Sequence, residues 1–401
     1  MNSQERKKPA ISAVLFLVLI AMLLTILGIG WWQQQQNTAP GLVSELILPE
    51  NRSVQSGDGQ GFTRAEGPQP MNYPADFGAH PDYQTEWWYY TGNLNDTAGN
   101  HFGYQLTFFR RALIPADQRS ARTSAWATDQ AYMAHFALTD VTENRHLSFE
   151  RLARGAAGLA GAQSDDYRVW LEDWYVEQTA PQTYHLYASR EGVRIDLILR
   201  DEKGPILHGE DGYSQKGPDP GNASYYYSQT RLDSEGTISV GEKSFAVRGL
   251  SWKDHEFSTS ALSEGQIGWD WFSIQLEDNY ELMVFQIRRA DGTIDSYSSG
   301  TLITPTGETR HLNRDDFQIE VVDTWKSPET GAVYPSRWMI SVPAEDLQLE
   351  ILPYSADQEM NLSYNYWEGA VRISGRYAGQ EVRGNGYVEM TGYAGSMSGE
   401  F

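Results

Sequence analysis

From residue 84 onward the chain runs as short stretches of apolar, aromatic and β-branched residues separated by polar turn residues, which predicts strands almost throughout. The clearest strand is 84–94 (QTEWWYYTGNL), followed by 102–111 (FGYQLTFFRR). The Asn95-Asp96-Thr97-Ala98-Gly99-Asn100 stretch between them has turn chemistry, so the two form a hairpin. Further strands are predicted at 131–141, 145–152, 167–177, 183–190, 193–200, 224–232, 236–240 and 243–252. A second series follows at 268–277, 280–289, 293–303, 316–323, 336–342, 347–352, 369–378 and 380–392. Hardly any segment sustains a 3.6-residue period; 113–128 and 257–264 are short helix or loop candidates. Short strands at this spacing predict an all-β protein of sandwiches or barrels.

Alternation in the first strand places Glu86, Trp88 and Tyr90 on one face and Trp87, Tyr89 and Thr91 on the other. Rings on both faces suit a barrel wall that packs outward while enclosing something. A carboxylate among them must find a partner or shift its pKa. Two readings of Glu86 stand: a structural acid bonded to backbone or arginine, and an acid facing a ligand.

The pattern echoes itself. Glu86-Trp87-Trp88-Tyr89 precedes Tyr104-x-Leu106-x-x-Phe109 and Arg110-Arg111; Asp270-Trp271-Phe272 precedes Tyr280-x-Leu282-x-x-Phe285 and Arg288-Arg289. In each copy an acid opens an aromatic strand and its partner strand ends in paired arginines. This predicts two related units with a boundary near residue 260, giving domains 71–259 and 260–401.

Residues 10–30 carry no charge and are long enough to span a bilayer. Arg6, Lys7 and Lys8 precede them, the first acid afterwards is Glu45, and Trp31 and Trp32 occupy the interfacial position. No convincing cleavage site follows. Residues 1–32 are therefore expected to be a cytoplasmic tip and uncleaved anchor. Residues 33–70, rich in Gln, Gly, Pro and Ser, read as a tether. The globular part then lies outside the cytoplasmic membrane, in the periplasm of a Gram-negative cell. With no cysteine, it has no disulfide and must be held by its core alone.

Beyond residue 40 the chain carries 28 basic residues against 52 acidic ones, a surface that repels nucleic acid and anionic headgroups. The 13 Trp, 23 Tyr and 14 Phe are more telling, since rings at this density suit extended amphipathic surfaces.

The densest chemistry is 250–257, LSWKDHEF. In an extended segment Asp254 and Glu256 face one way, and His255 faces the other with Lys253 and Phe257. His255 is the natural proton carrier by its ordinary pKa; a salt-bridged histidine between acids is the plainer alternative. Sharper chemistries fail on spacing: Thr259 stands where a zincin helix needs histidine, and no G-x-S-x-G occurs. Gly57-x-Gly59-x-Gly61 has no strand before it, and no Cys/His spacing resembles a zinc site. No metal or cofactor is expected.

HPDYQTEWWYYTGNL, SWKDHEF and GWDWFSIQL together resemble the AttH-like and carotenoid 1,2-hydratase-like family over roughly residues 70–398. The resemblance implies two tandem lipocalin-like, calycin-type β-barrel or sandwich domains and a hydrophobic ligand such as a lipid or isoprenoid. The family also resembles β-barrel pericyclases that cyclise polyenes. Its hydratases add water to a terminal trisubstituted alkene without a redox cofactor. His255, with Asp254 before it, matches the family's D-H-x-aromatic motif, though Phe257 stands where the hydratases carry Trp. In such a reaction Asp254 would orient His255, and Asp270 or Glu86 would handle water. Trp87, Trp88, Tyr90, Trp252, Phe257, Trp269 and Trp271 would line the site and stabilise a carbocation. Three functions compete: a membrane-moored carrier of a hydrophobic small molecule, a hydratase, isomerase or cyclase, and a structural partner of a membrane complex.

Overall fold

The computed structural model describes residues 59, 61–119, 123–165, 167–260 and 262–397. The apolar run 10–30 and most of the 33–70 stretch lie outside them. No helix among the described residues is long and apolar enough to cross a membrane. Strands dominate the architecture; among the described residues the helices are single 3-10 turns such as Ala75–Phe77.

Two antiparallel sheets divide the chain. Thirteen strands between Thr85 and Ser258 form the first, a nearly closed barrel; ten between Gln266 and Met390 form the second, a half-barrel. Both are threaded alike. The opening strand (Thr85–Asp96, and Gln266–Leu276) lies between its hairpin partner (His101–Ala112, and Glu281–Arg289) and the last strand of its sheet (Lys243–Ser258, and Gln380–Met390). The next strand outward is Ala223–Val240 in the first sheet and Asn365–Tyr377 in the second. The echo seen in the sequence is thus a repeat of topology.

Several strand bounds differ from the sequence pattern for local reasons. The predicted 167–177 strand is two, Arg168–Leu171 and Trp174–Ala180, because Glu172 adopts a left-handed conformation (φ 57°) in a tight turn. The predicted 224–232 and 236–240 strands are one, Ala223–Val240, with a bulge between Gln229 and Leu232 that lets it bend from one sheet partner to another. The predicted 293–303 strand begins only at Ser299.

Trp88, Tyr90, Phe108, Phe136, Trp174 and Tyr227 fill the interior of the first barrel, and Phe272, Trp338 and Trp367 that of the second. A third cluster, with Tyr89, Trp252, Trp271, Phe285 and Tyr387, buries the outer faces of the two sheets against each other. Polar contacts fix this seam. Asn93 donates to the Gly386 carbonyl at 2.9 Å, and Gln275 Nε2 donates to the carbonyls of Thr230 (2.7 Å) and Ser251 (3.0 Å). Buried Glu281 receives Lys203 at 2.6 Å and Arg231 at 2.5 Å. The sheets pack closely at Gly103, where a Cβ would stand 2.4 Å from that of Ala370. Residues just before the first strand lie against the first sheet: Tyr225 donates to the Gly67 carbonyl at 2.8 Å, and Ala65 is buried.

Candidate functional site

The pleat divides the chemistry of the two central strands. Lys253, His255 and Phe257 pair in register with Tyr90, Trp88 and Glu86, and all six face the first barrel's own side of the sheet. Asp254, Glu256 and Ser258 point the other way with Trp87 and Tyr89, toward the second sheet. A cavity of ≈ 120 Å³ opens there, lined from both sheets. An engineered cavity of about 150 Å³ takes a benzene ring, so the space suits a ring or a branched C5 end.

Its walls repeat as the fold does. Trp87 lies in register between Phe109 and Glu256; Trp271 lies in register between Phe285 and Glu389. Each sheet thus presents a Phe-Trp-Glu row across three adjacent strands, and both rows border the cavity. Tyr89, Tyr226, Trp269, Tyr364 and Tyr366 complete the aromatic lining.

Three carboxyls face this space in different states. Glu389 accepts from the Trp269 indole at 3.1 Å, and burial, opposed by that bond, pushes its carboxyl up to about 7. The negative neighbours Asp254 and Glu256 push in the same direction. Its cross-strand neighbour Glu368 is fully buried under the Tyr89 hydroxyl (2.8 Å) and is raised well above the carboxylate range, chiefly by burial. Asp254 is also pushed up to about 7 by burial, but it is tightly held: Tyr226 donates at 2.5 Å and Trp252 at 2.6 Å, and Ser228 donates as well. Trp271 donates to the Tyr226 hydroxyl at 2.9 Å, which ties Asp254 to the second sheet. Glu256 is ion-paired with Lys216 at 3.2 Å, and that ammonium lies 4.1 Å from the Phe285 ring centre. The cavity therefore holds a weak, protonatable acid on one wall and a compensated carboxylate on the other, between aromatic faces.

On the opposite side of the same strand a compact polar knot closes the first barrel. Glu86 receives Arg110 Nε at 2.7 Å, the His80 backbone N–H at 2.9 Å, and lies 2.8 Å from both His80 Nδ1 and His255 Nε2. Burial alone would raise Glu86, yet Arg110 and His80 hold it well below the usual carboxylate range. Burial lowers His255 to about 4. Burial would lower His80 too, but Glu86 and Asp76 hold it up to about 9. Lys253, lowered by burial to about 7, sits among Phe77, Tyr90, Tyr167, Tyr184 and Tyr227.

Of the residues singled out from the sequence, Trp87, Asp254, Trp269 and Trp271 border the cavity, and Trp252 backs it through Asp254. Glu86, Trp88, Tyr90, His255 and Phe257 belong to the barrel side, Glu86 as the arginine-bonded acid of the two readings. Asp270 borders neither group: it pairs with Arg288 at 3.1 Å and accepts from Gln286 (2.8 Å) and Tyr393 (3.2 Å). Glu389, Tyr226, Lys216, Phe109 and Phe285 are wall residues that motif reading did not gather. The signal for Phe109 and Phe285 was the echo itself; Glu389 sits in an unremarked VEM on the last strand.

A model of the AttH-like family matches residues 64–393. The chain belongs to the AttH-like family. The crystal structure of an AttH-like protein from Nitrosomonas europaea is similar at 34% identity and a TM-score of 0.74, covering 83% of this chain and 100% of that one. Kievitone hydratase from Nectria haematococca shares the fold at 14% identity and a TM-score of 0.60, covering 84% and 98% of the two chains. No curated protein matches the chain in sequence.

Proposed function

We propose that this AttH-like protein binds the end of an unsaturated hydrophobic molecule, of isoprenoid or similar lipid character, between its sheets and adds water to a terminal alkene. The observation that carries this reading is Glu389: a carboxyl poised near neutrality on the wall of an aromatic cavity. A general acid is most effective with a pKa near the working pH. Glu389 protonates the less substituted alkene carbon: the π bond breaks, a C–H bond forms, and a tertiary cation remains. Trp87, Trp271, Phe109 and Phe285 offer ring faces to that cation, each worth about 0.5–2 kcal/mol. A water attacks, a C–O bond forms, and its proton returns to a carboxylate, Glu389 or Glu256 across the cavity. No net oxidation occurs, so no redox cofactor enters the reaction. The Nectria neighbour is named a hydratase, which accords with this chemistry but, at its low identity, says only that the fold accommodates it. Residues 10–30 would hold the protein at the cytoplasmic membrane, where such molecules partition.

The test is incubation of the full-length chain, in detergent, with acyclic isoprenoids ending in a trisubstituted alkene, in ¹⁸O-labelled water. A labelled tertiary alcohol that Glu389→Gln abolishes, with binding retained, supports the reading. Binding without product leaves a carrier and removes the catalytic step; no binding at all overturns both.

A further inference from the structure

The barrel-side knot is independent of the proposed reaction, and its donor atoms have a purpose of their own. We propose that His80, Glu86 and His255 form a zinc site. Their donor atoms all lie within 4.8 Å of one another, with each imidazole nitrogen 2.8 Å from the same oxygen, Glu86 Oε1. In a tetrahedral site with bonds of about 2.0–2.1 Å, neighbouring donors stand about 3.3 Å apart, so each imidazole nitrogen need draw back only roughly half an ångström from Glu86 Oε1, while the two nitrogens, within 4.8 Å of each other, settle to the same spacing. Two histidines and one carboxylate leave a fourth position for water.

What surrounds the three donors is the outer shell such a site requires. A metal-bound imidazole needs a partner on its far nitrogen to fix its tautomer and its plane. His80 Nε2 faces Asp76 Oδ1 at 3.3 Å, and His255 Nδ1 faces the Tyr227 hydroxyl at 2.9 Å. Tyr227 in turn donates to the Asp76 carbonyl at 3.3 Å. The second oxygen of Glu86 accepts from Arg110 and from the His80 backbone N–H, and Oε1, which that N–H also reaches at 3.1 Å, meets both imidazoles. Aromatic shelves hold both rings: Phe257 stacks on His80 with centres 3.5 Å apart, and Trp88 on His255 at 4.9 Å. His255 is fully buried, while the His80 side chain, 15% exposed, gives an ion a way in.

The second sheet supplies the control. Its equivalent acid-arginine pair, Asp270 with Arg288, is completed by Gln286 and Tyr393 and has no imidazole among these partners. The hairpin architecture therefore does not itself call for histidines; the first sheet adds two, aimed at one oxygen. Hydrogen bonds alone can hold the knot together, but they give no reason for this added pair. Bound zinc would tie the segment around Ala75–Phe77 to the two central strands and seal that end of the barrel.

The test uses the full-length chain in detergent, stripped by chelation and then dialysed with excess Zn²⁺ or, as a spectroscopic probe, Co²⁺. One retained equivalent of zinc and the intense visible bands of tetrahedral Co²⁺ are expected. His80→Ala should lose both, and Asp76→Asn, at the partly exposed outer shell, should weaken Co²⁺ binding about 10–100-fold with the fold intact by circular dichroism. Absence of retained metal in the parent protein, or equal retention in the folded His80→Ala and Asp76→Asn variants, overturns the proposal. Neither outcome bears on turnover at Glu389, which lies on the other sheet.

Discussion

Glu389 and Glu86 show how the same side chain takes opposite character from its surroundings. Burial beside other acids keeps Glu389 weak, with a pKa of about 7, whereas Arg110 and His80 keep Glu86 ionised. The signs that follow are opposite. Glu389 acts as an acid only while protonated, so kcat should fall as the pH rises through about 7, and Glu389→Gln should lower it by about 10²-fold or more. Its contribution to stability is fully present below its unfolded pKa, about 4.3, and is lost as the pH rises to about 7. The contribution of Glu86 is present above about pH 4 and is lost on acidification. Arg110→Ala leaves that buried carboxylate uncompensated and should cost about 3–5 kcal/mol in denaturant unfolding. Glu86 was legible in the sequence because an acid at the head of WWYY is chemically conspicuous. Glu389 was not, because its setting is made by Asp254, Glu256 and Trp269, all distant in the chain.

The strand Lys243–Ser258 carries both chemistries on its two faces, and the period of two in LSWKDHEF is what separates them. That division was readable in advance; which face borders a void was not, because rings flank both. The same period fixed most strands, while the Glu172 turn and the Gln229–Leu232 bulge escaped because they depend on backbone geometry that alternation does not encode. Close approach of the sheets is also a property of particular strands. Gly103 sits where its hairpin strand meets Ala370, so Gly103→Val should force the sheets apart. The expected loss is about 1–3 kcal/mol of stability, read from the denaturation midpoint, together with weaker ligand binding in the cavity that Thr107 and Phe109 line farther along the same strand.

At the scale of the molecule, the two sheets repeat one threading, and their outer faces, not their interiors, make the cavity. The repeat was visible as paired acids and paired arginines, and it extends to the matched Phe-Trp-Glu rows that only the register reveals. Glu281, with Lys203 and Arg231, rivets the arrangement, so Glu281→Ala should strand two buried cations and destabilise the protein by about 3–5 kcal/mol, measurable by calorimetry. The guest of the proposed reaction lies between the sheets, and a crystal structure of the protein with an isoprenoid analogue whose terminal alkene is saturated, and so cannot be hydrated, would locate it. The branched end of the analogue is expected between Trp87 and Trp271, beside the Glu389 carboxyl; density for it inside the first barrel, or a seam that stays closed to it, would overturn a site between the sheets.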